Sequence, residues 1–117
     1  MDLERIGRRL LQQALAYPEA WEDYPWGERV VKVRRKIFAF LVFAPDTLSL
    51  TVKLPASAEF AQMFEDCVPT GYGLGKHGWI SCRLNPGSPF DPDLLEGWLA
   101  ESYRAVAPKM LVKMVPG

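Results

Sequence analysis

The segment Thr70–Leu84 reads T-G-Y-G-L-G-K-H-G-W-I-S-C-R-L and gathers most of the side chains here that could act on a partner. It holds the only histidine, His77, beside Lys76, and then Trp79 opens an alternating run through Ile80, Ser81, Cys82 and Arg83. Lysine and arginine attract phosphate, and an indole stacks on a base or fills a partner's pocket. Imidazole, with a reference pKa of about 6.5, offers acid–base chemistry near neutral pH. The glycines around these residues imply a tight turn or the close approach of a ligand or second backbone.

Specific chemistries can be weighed one at a time. Gly73-Leu74-Gly75-Lys76-His77-Gly78 matches G-x-G-x-x-G formally, but that fingerprint works where a strand turns into a helix, and here it runs into a strand. A phosphate-binding P-loop fails too, since His77 follows Lys76 where Ser or Thr is required. Catalysis by His77 needs a remote partner, because no carboxylate lies between Cys67 and Phe90; a surface hydrogen-bonding role is the plainer reading. Cys67 and Cys82 have no metal-ligand spacing and read as reduced, buried thiols. The pairs Glu65-Asp66 and Asp91 with Asp93 are accounted for by helix ends and caps. The expectation is therefore a non-enzymatic protein with no catalytic residue, no metal and no cofactor.

These residues need elements to hold them. Leu3, Ile6, Leu10 and Ala14 recur at helical spacing, with Asp2 as cap, Pro18 as stop and Arg5, Arg8, Arg9 and Gln12 outward. Glu19–Glu28 reads as a loop whose Trp21, Tyr24 and Trp26 anchor it to the core. Strands are expected over Arg29–Arg34, Ile37–Phe43 and Leu48–Leu54, the first two joined by Arg35-Lys36. Phe60, Met63, Phe64 and Cys67 mark a second helix, with Ser57 as cap and Pro69 as stop. The strand Trp79–Leu84 follows the glycine loop, and Asp91-Pro92 starts a last helix whose inner stripe is Leu95, Trp98, Leu99, Ser102 and Val106. On that stripe Ser102 should be buried with its hydroxyl on the Trp98 carbonyl, and Tyr103 should lie at its margin with its OH on a polar group.

Hairpin-length connections favour an antiparallel sheet with helices on one face: an α+β, two-layer fold in a single domain over 1–117. The other face stays open, and alternation assigns it Lys32, Arg34, Ser49, Thr51, Lys53, Trp79, Ser81 and Arg83, a set without an acid. The formal net charge of +0 argues against a general polyanion binder, so any nucleic-acid contact must use such a local patch. Against this stands a plain alternative, in which Trp79 folds over the sheet edge and the bases pair with acids from elsewhere. Residue type alone leaves both open and leans to the second. The acidic start M-D-L-E-R and an apolar run no longer than Ile37–Ala44 argue against a signal peptide or a membrane span, so a cytoplasmic protein is expected.

Tyr24-Pro25-Trp26-Gly27, Leu50-Thr51-Val52-Lys53, Gly75-Lys76-His77-Gly78-Trp79-Ile80-Ser81 and Glu101-Ser102-Tyr103 occur in this order along nearly the whole chain. In that order and spacing the chain resembles the MmcQ/YjbR family of small bacterial proteins. The resemblance implies a frataxin-like, CyaY-like fold and a proposed double-wing DNA-binding motif. It also raises iron binding by an acidic first helix, a role that does not carry over to a helix presenting Arg5, Arg8 and Arg9. With the resemblance, the expected function is DNA binding by Lys32, Arg34, Lys53, Lys76, His77, Trp79 and Arg83. The alternative is a protein-interaction or small-ligand module anchored by Trp79 and Tyr72.

Overall fold

Apolar residues spaced by three and four turn one side of helix α1 (Leu3–Ala16) into a buried stripe of Leu3, Ile6, Leu10 and Ala14. Asp2 caps it by accepting from the Arg5 amide at 3.1 Å, a contact of the kind worth about 1 kcal/mol. The structure, a computed structural model, describes residues 2–116. Strands β1 (Ala20–Asp23), β2 (Val30–Val33), β3 (Lys36–Ala44) and β4 (Thr47–Lys53) follow, then the single-turn helix α2 (Ala58–Ala61). Strand β5 (Cys67–Pro69), a 3-10 turn (Leu74–His77), strand β6 (Trp79–Leu84), helix α3 (Pro92–Val106) and the short α4 (Lys109–Val112) complete the order. Asp91 caps α3 by accepting from the Asp93 amide at 2.9 Å, with Pro92 in the first turn where its missing N–H costs nothing.

The strands form one antiparallel sheet in the order β1-β2-β3-β4-β6-β5. The helices cover one face, as the alternation requires: Leu48, Leu50 and Val52 of β4 are buried under α1 and α3, and Ile80, Cys82 and Leu84 of β6 are buried on the same side, next to α2. Close approach of α1 to β3 depends on Gly7, where an added Cβ would run into the Phe43 ring. Among the described residues no helix is long and apolar enough to cross a membrane.

One irregularity governs the centre of the sheet. Val31 pairs with Ala39, but the next residue, Lys32, pairs with Ile37, so Phe38 is an extra residue in β3. The bulge turns Phe38 into the core, where its ring meets Tyr103 edge-on at 5.2 Å and Tyr17 at 6.1 Å. On its other side β3 pairs with β4 only as far as Ala39–Val52. There the hydroxyl of Ser102, fully buried on α3, accepts from the Lys53 amide at 2.8 Å and donates to the Phe38 carbonyl at 2.5 Å. A side chain from the helix layer thus stands in for the ladder bond that the bulge removes.

Several expectations need correction. The Ser102 hydroxyl does not turn back onto Trp98, because two strand groups with stronger need of a partner lie in front of it. Tyr103 is wholly buried, not marginal, and its OH donates to the Pro18 carbonyl at 2.7 Å. Residues 20–23 form an edge strand where a loop was expected, and Trp21, Tyr24 and Trp26 are exposed rather than anchored in the core. The second helix is only one turn long; Cys67 belongs to β5, directly opposite Cys82, and the two form a cross-strand disulfide in place of two free thiols. Ser57 makes no side-chain cap, since its hydroxyl donates at 2.6 Å to Glu101, which also accepts from the Ala56 and Ser57 amides.

Replacing Ser102 by alanine leaves a buried amide and a buried carbonyl without partners. Denaturant unfolding of Ser102→Ala should show a loss of about 2–6 kcal/mol, summing two unsatisfied groups at roughly 1–3 each. Tyr103→Phe, which strips one hydroxyl from a carbonyl that lies near solvent, should lose only about 1 kcal/mol. Equal effects from the two substitutions would contradict the bridging role of Ser102.

Candidate functional site

The sheet face away from the helices carries the residues of chemical interest, and strand register sets their spacing. Across β4 and β6 the partners are Lys53–Trp79, Thr51–Ser81 and Ser49–Arg83, so alternation places all six on one surface. Phe40 and Val42 of β3 lie opposite Thr51 and Ser49 and extend the same surface. Trp79 and Phe40 meet edge-to-face, ring centres 6.1 Å apart, which fixes the indole as a half-buried wall.

Two grooves occupy this face, and Phe40 and Leu74 line both. The first, about 470 Å³, lies at the end of the sheet between Trp79, the β2–β3 hairpin and Ala105 and Val106 of α3, and is lined by Lys32, Arg35, Lys36 and Lys53 with Ile37 beneath them. The bulge at Phe38 places Ile37 here, since it returns Ile37 to the register of Lys32; Lys36, opposite the core residue Val33, reaches the groove from the hairpin end of the strand. Among the described residues no carboxylate comes within ion-pair distance of Arg35, Lys36 or Lys53. These three cations converge around an indole with no counter-charge.

The second groove, about 820 Å³, lies over the other half of β4 and β6. Its floor is a file of hydroxyls: Thr51 donates to Ser81 at 3.0 Å, and the Ser81 and Thr70 hydroxyls are hydrogen-bonded at 2.9 Å. Thr47 and Ser49 continue the file, Trp26 and Tyr72 stand at the rim, and Arg83 and Glu28 supply one charge of each sign. Tyr72 is fully exposed and holds φ 58° in the turn that leads into the 3-10 segment. Gly78 closes that segment at φ 85°, with the Leu54 carbonyl 3.2 Å from where a Cβ would sit. Its own carbonyl accepts from the Leu54 amide at 2.7 Å, tying the loop to the end of β4.

The expected acid-free face is therefore only partly realised. Lys32 is on it, but β1 brings Asp23 to 2.7 Å from its ammonium, which also lies 5.1 Å from the Trp21 ring centre. The hydrogen bond from Lys32 holds the Asp23 carboxyl below its usual pKa, so the pair is intact at neutral pH and is lost only as pH falls through that lowered value. Arg34 is not on the face at all. It sits in the hairpin turn at φ 56°, paired with Glu19 at 3.1 and 3.2 Å, while its carbonyl accepts from the Trp21 indole at 2.7 Å. The arginine tolerates that left-handed backbone because its side chain and carbonyl are both fastened. The same hydrogen bond lowers the Glu19 pKa. Lys53, Trp79 and Arg83 stand where alternation put them, whereas Lys76 and His77 are exposed on the 3-10 turn and line neither groove.

Arg35, Lys36, Ile37 and Phe40 belong to the site and were not expected there. The first two were read as turn residues and the last two as interior of a central strand. Period-two counting back from Val42 would have found Phe40; the bulge that moves Ile37 leaves no mark in the sequence. Among the described residues no cluster of His, Cys, Asp and Glu could hold a metal ion.

Comparison with solved structures gives a similar fold in the crystal structure of Deinococcus radiodurans protein DR2400, described as a DUF419 domain. The two share 22% identity with a TM-score of 0.72, over 97% of this chain and 88% of that one. At that identity the likeness establishes the architecture, a six-stranded antiparallel sheet with helices on one side. No curated protein matches the chain. The YjbR family profile matches residues 15–105, which span every strand of the open face and most of α3. The chain belongs to the YjbR family.

Proposed function

We propose that this protein binds DNA, without catalysing a reaction on it, through the open face of its sheet. The observation that carries this reading is the convergence of Arg35, Lys36 and Lys53 around Trp79 with no carboxylate partner among the described residues. Unpaired cations on one wall of a groove suit a row of phosphates, and an indole beside them suits a base or sugar. A chain of net charge +0 attracts polyanions mainly where its cations are left unpaired, which favours this groove over the α1 face, where Arg8 and Arg9 are bonded to Glu4 and Glu96 and, among the described residues, Arg5 alone of the three has no ion pair. In this reading Arg83 extends the contact along β6, and Lys76 and His77 meet a backbone passing the glycine loop. Lys32 is held in reserve by Asp23, and Arg34 plays a structural part in the hairpin.

Fluorescence anisotropy of labelled DNA across a series of salt concentrations tests the reading. Affinity should fall log-linearly with salt, and the double substitution Lys36→Glu with Lys53→Glu should weaken binding by a factor of about ten or more while the fold persists. Absence of binding at low salt, or affinity indifferent to both substitutions, would overturn it.

The ion pair at the rim supplies a test in the opposite direction. Asp23→Asn releases Lys32 into the groove, so binding at neutral pH should strengthen and the salt slope should steepen by about 0.9 for one further phosphate contact on duplex. Weaker or unaltered binding by this variant would place the DNA elsewhere.

A further inference from the structure

We infer that the open face is built for single-stranded DNA: the hydroxyl-lined groove receives unstacked bases and sugars while the adjoining basic groove holds the phosphates. This rests on the DNA-binding reading and specifies its ligand. The two grooves meet at Phe40 and Leu74, so they form one track along β4. From Thr47 to Lys53 that track is about 20 Å long at the usual strand rise, room for a few nucleotides.

The two halves differ in the chemistry they can receive. The basic half has three cations without carboxylate partners among the described residues and a fourth neutralised by Asp23. The other half has Arg83 and Glu28, one charge of each sign, so it gives phosphate no net attraction. What it offers is hydrogen bonding from Thr47, Ser49, Thr51, Thr70 and Ser81, and flat apolar faces from Phe40, Trp26 and Tyr72. Hydroxyls both donate and accept, so they tolerate any base edge, and aromatic faces stack on any base. A duplex hides its base faces in the helical stack and presents phosphates outermost, so it could meet the cations but could not fill this half. A single strand can lay its backbone on one half and turn its bases into the other.

Tyr72 supplies an independent reason. A tyrosine at φ 58° is strained, its ring is fully in solvent, and among the described residues no side-chain hydrogen bond or ring contact holds it there. Glycine would satisfy the turn more easily, so the tyrosine serves no purpose in the folded chain by itself. Trp26, 70% exposed on the facing rim, is likewise unused by the fold. The pair stands ready to stack on bases entering the groove.

The test compares a short labelled oligothymidine with a duplex of the same length at one low salt concentration, on the native protein and on the Tyr72→Gly and Trp26→Ala variants. The single strand should bind about tenfold or more tightly than the duplex, and each variant should lose roughly five- to fiftyfold for the single strand with little change for the duplex. Tyr72→Gly should also melt at a higher temperature, since it relieves the positive φ, which separates loss of binding from loss of fold. Duplex affinity equal to or above that of the single strand overturns the inference and leaves DNA binding standing. Strand preference that survives both substitutions also overturns it, because the aromatic rim would then play no part. Failure of both nucleic acids to bind removes the DNA-binding reading itself.

Discussion

The Ser102 hydroxyl holds together the part of the molecule on which everything else depends. It sits fully buried at 2.8 Å from the Lys53 amide and 2.5 Å from the Phe38 carbonyl, joining α3 to both β3 and β4 where their own ladder has opened. Two buried backbone groups left alone there would cost more than a typical hydrogen bond returns, so the bulge is tolerable only with this partner in place. The bulge in turn sends Phe38 into the ring cluster with Tyr17 and Tyr103, and it resets Ile37 onto the open face. Core packing and groove composition are thus consequences of one irregular residue and the hydroxyl that satisfies it.

Charge arrangement then decides which part of the surface can attract a polyanion. Lys32, Arg34, Arg29, Arg8 and Arg9 are each matched to a carboxylate, and exposed pairs of this kind contribute little to stability. Their effect is to neutralise five of the fourteen basic side chains. Among the described residues, the cations left over around Trp79 are Arg35, Lys36 and Lys53, with Arg83 at the far end of β6, and Asp23 decides whether Lys32 joins them. In a chain without net charge, such local imbalance is the only electrostatic feature a phosphate backbone can follow.

Local patterns made much of this legible. Caps at Asp2 and Asp91, the spacing of Leu3, Ile6 and Leu10, and the alternation of Leu48 through Leu54 announce α1, α3 and β4, and they appear almost residue for residue. Lys53, Trp79 and Arg83 follow from the same alternation. What stayed hidden depends on partners remote in sequence. Residues 20–23 form a strand because β2 offers them an edge, and that edge strand is what delivers Asp23 to Lys32. Arg34 left the face because the hairpin is closed by two residues only, with Glu19 and Trp21 waiting to fasten it. Cys67 looked helical from its spacing to Phe60 and Phe64, yet α2 unwinds after one turn and β5 docks on β6 through the disulfide. The bulge at Phe38 has no Gly or Pro to signal it.

The most direct test of the account is amide and indole chemical-shift mapping by NMR as single-stranded DNA is added to the isotope-labelled protein. The account predicts that the Trp79 indole N–H and the amides of Lys36, Lys53, Thr51, Ser81 and Arg83 shift together, with Tyr72 and Trp26 broadening or moving alongside them. The α1 residues Arg5, Arg8 and Arg9 should stay fixed. Shifts concentrated on α1 and α3, with the open sheet face unmoved, would contradict it.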